Sequence, residues 1–238
     1  MYSGNSYKNF PALYDLLYQR YLKSVPDFVS LVKTNTTKDG LILDLAAGTG
    51  EVTILLLKNG FRVVSLDSSN GMLGELKRKA KNLGIKNYHT RVFDMRKINY
   101  KEEFDSVCIR QAINYFLGTK ALSTGLKKIY TSLKKDGNFI FNAPNYQGKN
   151  NYPTVANHYE NGAQKALVVE TNKMSGRLLK HKQYSIVWEN NGEPNFVTDE
   201  NSFYMFTKEE FKRALKISGF SKIQFSNSAK TLYCVATK

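Results

Sequence analysis

The sequence has little of what proteins use for covalent cross-links and metal frameworks: two cysteines and three histidines in 238 residues. Cys108 and Cys234 lie far apart, and each stands between apolar neighbours. Isolated cysteines in such contexts are typical of buried strand residues in a reducing compartment. No spacing of a zinc site is present. The sequence therefore predicts a fold without disulfides and without a bound metal.

Long apolar runs are also scarce. The start, MYSGNSYKNF, lacks the apolar core of a signal peptide, and no later run approaches the ~20 apolar residues of a membrane span. We therefore expect a cytoplasmic protein with no membrane partner. The chain has 42% hydrophobic and 13% aromatic residues, which is enough for a substantial core. Its length suits one domain with an elaboration.

Acidic residues are few, 20 against 35 basic ones, so the formal net charge is +15. Such a charge raises the question of an anionic partner such as nucleic acid. The excess is spread along the chain, however, and its densest cluster, residues 77–81, falls in a predicted helix. A solvated helix face explains that cluster more simply, so a nucleic-acid partner is disfavoured but left open.

The most informative segment is residues 41–53, LILDLAAGTGEVT. Its aliphatic residues follow each other without alternation, which predicts a strand buried on both faces of a parallel sheet. Asp44 then lies at the end of the strand. The small residues after it form a turn in which Gly48 and Gly50 tolerate positive φ. Because the amides that open the next helix can donate outward, the segment predicts a ligand-binding loop.

A second acid narrows the choice of ligand. Asp67 ends the next apolar run, residues 61–66, at the usual position of a carboxylate that binds ribose hydroxyls. The dinucleotide fingerprint G-x-G-x-x-G is not matched, whether it is aligned from Ala46 or from Gly48. The order D-x-A-x-G-x-G at positions 44–50 instead resembles the D-x-G-x-G-x-G signature of class I S-adenosylmethionine-dependent methyltransferases, with alanine in place of the first glycine.

The resemblance implies S-adenosylmethionine as the cofactor and adds residues to its site. Tyr14, before an acid, is similar to the aromatic residue of a lid over the cofactor. Met72 matches a methionine that lies near the adenine, and Asp94 matches the contact to the adenine amino group. The implied cofactor-binding residues are Tyr14, Asp44, Ala46, Gly48, Thr49, Gly50, Asp67, Ser68, Met72, Asp94, Met95 and Arg110.

The rest of the chain alternates strands with helices, which predicts an α/β fold with a doubly wound, Rossmann-like methyltransferase sheet. Residues 143–206 break this rhythm, and two alternating segments there, 165–173 and 178–190, predict an inserted antiparallel β lid. The predicted domains are an N-terminal helical lid at 1–40, a cofactor-binding core at 41–142 and 207–238, and a β-rich substrate-binding insertion at 143–206.

The resemblance implies methyl transfer to nitrogen or oxygen of a small organic acceptor, as in the N-methyltransferases that act on amino sugars. Such a transfer is a direct displacement, which positioning and desolvation can accelerate without a dedicated acid–base pair. The catalytic residues are therefore not identified. The candidates are Tyr14, Gln111, Asn114, Tyr115 and His158, with His181 as another possible base. The candidate substrate-binding residues are Tyr115, Tyr146, His158, Trp188 and Tyr204.

Other functions stay open at this point. The N-P-P-Y signature of DNA amino-methyltransferases is replaced by RQAI at residues 110–113, and Cys108 lacks the preceding proline of cytosine-C5 enzymes. The alternatives are an RNA, DNA or protein methyltransferase, or a methyltransferase-like domain that binds without turnover. The sequence does not distinguish a monomer from a homodimer.

Overall fold

The computed structural model describes residues 2–3, 10–148, 152–190, 192–228 and 230–238. Parts of the ranges predicted as lid and insertion therefore lie outside the described residues. The strands are β1 (Tyr2–Ser3), β2 (Leu41–Leu45), β3 (Arg62–Asp67), β4 (His89–Val92), β5 (Phe104–Ile109), β6 (Leu133–Pro144), β7 (Val155–Asn161), β8 (Gln164–Ser175), β9 (Leu178–Glu189), β10 (Asn195–Tyr204), β11 (Ile223–Asn227) and β12 (Thr231–Thr237). The helices are α1 (Tyr14–Leu17), α2 (Gln19–Leu22), α3 (Val25–Thr34), α4 (Glu51–Lys58), α5 (Asn70–Asn82), α6 (Thr119–Ser132) and α7 (Lys208–Ile217).

The larger sheet has seven strands in the order β11-β12-β6-β5-β2-β3-β4. Neighbouring strands from β4 to β6 are parallel, whereas β12 is antiparallel to both β6 and β11. The direction of winding reverses between β2 and β5, so the carboxyl ends of these strands open a crevice at a topological switch point. The predicted doubly wound α/β class is confirmed.

Helices cover both faces of this sheet. On one face, Phe28 of α3 and Leu56 of α4 pack against Ile42 and Cys108. On the other face, α6 and α7 contribute their apolar sides to a larger cluster around β5 and β6. Burial on both faces explains why β2 reads as an unbroken aliphatic run. No helix in the described part of the chain is long and apolar enough to cross a membrane.

Local signals place several helices where the sequence predicts them. The Ser69 hydroxyl accepts from the Met72 amide at 3.3 Å and begins α5. Thr207 and Glu210 form a capping box at the start of α7. Pro26 lies in the first turn of α3, where its missing amide costs nothing. The predicted helix before it differs, because the chain leaves helical geometry at Tyr18 and forms two short helices.

The smaller sheet has five strands in the order β1-β10-β9-β8-β7. The hairpin predicted from the sequence, β8 and β9, forms its centre. The prediction is incomplete, since β7 and β10 extend the hairpin and β1 pairs in parallel with β10. Polar residues such as Asn157, Asp199 and Asn201 replace the apolar positions by which such strands are recognised.

The start of α4 packs so closely on α5 that only glycine fits at Gly50. Its φ is 86°, and a Cβ there would lie less than 3 Å from three side-chain atoms of Leu76. Gly48 has a φ of 57°, but a Cβ there would meet nothing within 4 Å. We expect Gly50→Ala to lower the free energy of unfolding by about 3 kcal/mol and Gly48→Ala by about 1 kcal/mol. Urea unfolding of both variants measures the difference, and equal losses would contradict the packing argument.

Candidate active site

A cavity of about 310 Å³ lies at the carboxyl ends of β2, β3 and β5. This position is the switch point of the sheet, where doubly wound folds bind their ligands. The walls come from the turns after these strands, from the segment after β4 and from the N-terminal helices. The lining residues singled out from the sequence are Tyr14, Asp44, Ala46, Gly48, Thr49, Asp67, Ser68, Asp94, Met95, Arg110, Gln111 and Tyr115.

The turn after β2 is shaped by left-handed backbone. Ala46 has a φ of 59° and Gly48 of 57°, so alanine adopts the conformation that the first glycine of the motif would allow at less cost. Asp67 holds this turn from the end of β3. Its Oδ2 accepts from the Gly48 amide at 2.9 Å, and its Oδ1 accepts from the Ser69 amide at 2.8 Å. The carboxylate of Asp67 is therefore fixed at the wall of the cavity.

Asp44 is the most buried acid of the cavity, at 2% exposure. The Thr53 hydroxyl donates to its Oδ2 at 2.6 Å, and the Cys108 thiol lies 3.7 Å from its Oδ1. Burial raises the pKa of Asp44 to about 6, and the hydrogen bonds from Thr53 and Cys108 offset only part of this effect. A cationic ligand group beside Asp44 would lower that pKa again, so the site favours a ligand with positive charge.

The segment after β4 places an acid between two apolar side chains. Phe93, Asp94 and Met95 all line the cavity. Arg96 Nε donates to Asp94 Oδ1 at 2.9 Å, and this bond holds the pKa of Asp94 below its usual value. An ionised acid beside an aromatic ring and a thioether suits a heteroaromatic ring that carries an amino group.

The residues after β5 form a further wall. Gln111 has a φ of 56°, a costly conformation for a residue with a Cβ, and its amide donates to Asn142 Oδ1 at 2.8 Å. Arg110 also lines the cavity, but its guanidinium donates to the main-chain carbonyl of Tyr21. Tyr115 follows in a short 3-10 turn and faces the same cavity.

The N-terminal helices close one side of the cavity. Tyr14 lines it and stacks on Tyr18 with ring centroids 4.6 Å apart. Asp15 accepts a hydrogen bond from the Thr49 hydroxyl at 2.6 Å and forms an ion pair with Lys79 of α5. These contacts tie the N-terminal segment to the turn after β2.

Three residues singled out from the sequence lie elsewhere in the core. Met72, predicted to lie near the adenine, is fully buried in α5 and is not among the residues that line the cavity. Gly50 is needed for packing against Leu76 instead. Asn114 is 4% exposed, and its Nδ2 donates to the Tyr204 carbonyl at 2.6 Å, so it connects the core to β10.

The candidate substrate residues of the insertion do not line the cavity either. Tyr146 packs under the Arg177 guanidinium, 4.5 Å from its ring centroid. His158 and Trp188 stack at 6.2 Å, and the side chain of His158 is 51% exposed. The Tyr204 ring packs on another aromatic side chain. Packing within the smaller sheet and its edges accounts for Tyr146, His158 and Trp188, whereas Tyr204 packs on Phe206 in the core of the larger sheet.

The cavity is also lined by residues that were not predicted as site residues from the sequence. Most adjoin assigned residues in the chain and follow from the same strand ends. Leu22 has no such signal, because only the packing of α2 brings it there. These further residues are Leu22, Ala47, Glu51, Val52, Ser69, Phe93, Arg96, Ala112 and Leu117.

The chemistry of the cavity fits S-adenosylmethionine. A buried, poorly compensated carboxylate at Asp44 suits a cationic group, Asp67 offers acceptor oxygens to a diol, and Asp94 beside Phe93 suits an aminated ring. These groups lie at the switch point of a doubly wound sheet that ends in an antiparallel strand pair. This combination of fold and site is characteristic of the class I methyltransferases.

Comparison with known proteins agrees with this class. Residues 42–137 match the methyltransferase domain family. The resemblance seen in the sequence is thus confirmed for this part of the chain, which matches a methyltransferase domain, and the whole chain has the fold of class I methyltransferases.

Individual relatives resemble this chain either over part of its length or at low identity. A glycine/sarcosine N-methyltransferase of Parasynechococcus marenigrum is 34% identical over 50% of this chain and 42% of its own. A dTDP-3-amino-3,6-dideoxy-alpha-D-glucopyranose N,N-dimethyltransferase of Streptomyces fradiae is 24% identical over 88% of this chain and 82% of its own. The chain spans about half the length of the first curated relatives it matches.

One solved structure illustrates the likeness of fold. The amino pentose methyltransferase CalS10 of Micromonospora echinaspora, solved with S-adenosylmethionine bound, has a TM-score of 0.76 at 16% identity. The alignment covers 100% of this chain and 98% of that one. At this identity the likeness concerns the fold alone.

Proposed function

We propose that this protein transfers the methyl group of S-adenosylmethionine to a nitrogen of a small organic amine. The cavity carries the proposal, because it gathers Asp44, Asp67 and Asp94 where the cofactor class needs cationic, diol and ring contacts. The amine acceptor is supported by the relatives, whose names describe N-methylation of glycine, sarcosine and an amino sugar. An amino sugar is the preferred acceptor, because the relative that methylates one aligns over 88% of this chain and 82% of its own.

The cofactor supplies an electrophilic methyl group on a sulfonium. The residues of this chain hold its two ends, keep water out and align the acceptor. Tyr14, Gln111 and Tyr115 line the cavity, Tyr14 from the N-terminal helices and Tyr115 beside Phe203 of the smaller sheet, so we assign them to positioning of the acceptor. Alignment and desolvation supply most of the acceleration in such a displacement. In this proposal the N-terminal helices and the insertion serve as covers over the reacting groups.

The acceptor nitrogen must be neutral when it reacts. His158 is poorly suited to remove its proton, since the side chain is half exposed beside Glu160. His181 lies on the face of the smaller sheet opposite to that of His158, and it is 7% exposed. Burial lowers the pKa of His181, which keeps its imidazole neutral and able to accept a proton.

The activity is tested with the purified protein and S-adenosylmethionine that carries a labelled methyl group. We expect label in small amines, with little change in kcat/KM between low and physiological salt. Binding to RNA or DNA through lysines would instead weaken steeply with salt as counterions are released. The acceptors are amino sugars, glycine, sarcosine, transfer RNA and a protein extract, each with heat-denatured enzyme as the control. Label that appears only in the RNA or protein fraction would contradict the proposal.

A further inference from the structure

Four basic residues lie close together in α5, and the structure separates one of them from the rest. Lys77, Arg78 and Lys81 are exposed, as a solvated helix face predicts. The side chain of Lys79 is only 17% exposed, and it forms an ion pair with Asp15 of α1. The solvated face therefore accounts for three of the four residues, and the position of Lys79 calls for another reason.

The ammonium group of Lys79 meets three other parts of the chain. It forms ion pairs with Asp15 of α1 and with Glu51 at the start of α4, and it donates to the Thr49 hydroxyl at 3.1 Å. The Thr49 hydroxyl in turn donates to Asp15 at 2.6 Å. Because an ammonium has three donor hydrogens, these three partners can use all of them. Lys79 thus joins α5 to α1, to α4 and to the turn after β2 at one point.

These contacts lie next to the cofactor cavity. Thr49 and Glu51 line the cavity, and so does Tyr14, which immediately precedes Asp15. Lys79 is not among the lining residues. Without its charge, the carboxylates of Asp15 and Glu51 would lie close together with no cation between them, and they would repel each other. Any effect of Lys79 on the cavity therefore passes through the residues that it holds.

A second contact seats the N-terminal part of the chain on the same helix. The 3-10 turn Pro11–Leu13 packs against the first turn of α5, where a Cβ at Gly71 would lie 2.5 Å from Cγ of Pro11. The proline ring cannot move aside as a flexible side chain can, so this approach requires glycine. Gly71 and Lys79 are about 12 Å apart along the helix axis. One helix therefore holds the segment that leads into α1 at two points.

We infer that Lys79 is a positioning residue for methyl transfer, which fixes the N-terminal helices over the cofactor cavity through its three partners. S-adenosylmethionine that leaves past Tyr14 then requires the ion pair between Lys79 and Asp15 to open. The same holds for the demethylated product. The inference goes beyond the proposed function, because it concerns retention of the cofactor and applies to any methyl acceptor.

The contacts of Lys79 are of the kind that affects release. An isolated exposed ion pair contributes little, but Lys79 makes charge-assisted contacts with two carboxylates and is mostly shielded from solvent. Removal of its charge should therefore speed dissociation of the cofactor about tenfold. A similar effect is expected from Gly71→Ala, which displaces Pro11 from α5 without changing any charge.

The test uses the full chain with Lys79→Met, Lys79→Arg and Gly71→Ala. Methionine keeps most of the lysine stem without its charge, whereas arginine restores a cation that can bridge two carboxylates. Alanine favours a helix more than glycine does, so Gly71→Ala leaves α5 itself intact. The matched controls are Lys77→Met, which removes an exposed charge from the same helix, and Gly74→Ala, whose Cβ would meet nothing within 4 Å.

Surface plasmon resonance with the immobilised protein measures the dissociation rates of S-adenosylmethionine and of its demethylated product. We expect both rates to rise about tenfold in Lys79→Met and in Gly71→Ala. Lys79→Arg and the two controls should stay within about threefold of wild type. The KM for S-adenosylmethionine should rise in the same two variants, with a smaller change in kcat.

Two further measurements separate positioning from a general loss of structure. Thermal unfolding of Lys79→Met should remain cooperative, because α5 keeps its buried apolar side. Asp15→Asn should speed dissociation when it is introduced alone, but it should add little to Lys79→Met, since both changes remove the same ion pair.

The contrary outcomes are distinct. Unchanged dissociation rates in Lys79→Met, or an equal rise in Lys77→Met, would overturn the role of Lys79. Faster release in Lys79→Met but not in Gly71→Ala would overturn the part of the N-terminal helices, because Lys79 would then act on the turn after β2 alone. If wild type binds the cofactor but methylates no amine, the proposed function fails, and the dissociation rates still decide on Lys79.

Discussion

Replacing Asp67 with alanine is expected to lower the affinity for S-adenosylmethionine about 100-fold, or about 3 kcal/mol. Two losses combine in this variant. The cavity loses a carboxylate that is placed to accept from a diol, and the turn after β2 loses the acceptor of the Gly48 amide. The fixed carboxylate also serves the Ser69 amide at the start of α5, so the binding loop becomes less ordered before any ligand arrives.

Calorimetry with S-adenosylmethionine and with its demethylated product measures this effect. Asp105→Ala is the matched control, because Asp105 also accepts from a main-chain amide, that of Leu41 at 2.8 Å, and does not line the cavity. That control should lose stability without losing cofactor affinity. Equal affinity of wild type and Asp67→Ala would show that the ribose contact is assigned to the wrong residue.

Replacing Asp44 with asparagine should have opposite effects on stability and binding. The pKa of Asp44 rises from its ordinary value of 3.8 to about 6, mainly because the group is buried. Compared with the unfolded chain, the folded state without ligand therefore holds the proton of Asp44 more tightly. The stability that Asp44 contributes is fully present below about pH 4 and is lost as the pH rises through about 6, with a total of about 3 kcal/mol.

Asparagine cannot ionise, so the variant should be more stable than wild type at pH 8 and nearly equal to it at pH 4. At pH 8 it should also bind S-adenosylmethionine at least tenfold more weakly, because a cationic ligand group no longer meets a negative charge. Urea unfolding at both pH values and calorimetry at pH 8 test the two effects.

Asp105→Asn gives a control of opposite sign. Burial alone would raise the pKa of Asp105. The Lys134 ammonium and the Leu41 amide outweigh burial and hold that pKa below its ordinary value. This second variant should therefore be less stable than wild type at pH 8, with unchanged cofactor affinity. If Asp44→Asn were destabilised at pH 8 as well, the carboxylate would be structurally required and the buried charge would not be the dominant cost.

The sequence by itself determined most of the larger sheet and the turn after β2. An unbroken aliphatic run gave β2, an acid at its end gave Asp44, and the next strand ended at Asp67 as predicted. The start of α7 followed from Thr207 and Glu210, which cap the helix through contacts three residues apart. These features are readable because each depends on neighbours in the chain or on the periodicity of one element.

Only the tertiary structure decided the details of the site. Met72 belongs to the same stretch as the predicted cofactor residues, but the rotation of α5 turns its side chain into the core. His158 and His181 are equally plausible bases in the sequence, yet one is half exposed and the other is buried. The centre of the smaller sheet is the clearest case. Glu170, Gln183 and Asp199 lie far apart in the chain, and only the register of three strands makes them neighbours, because a shift of one residue would turn each to the opposite face.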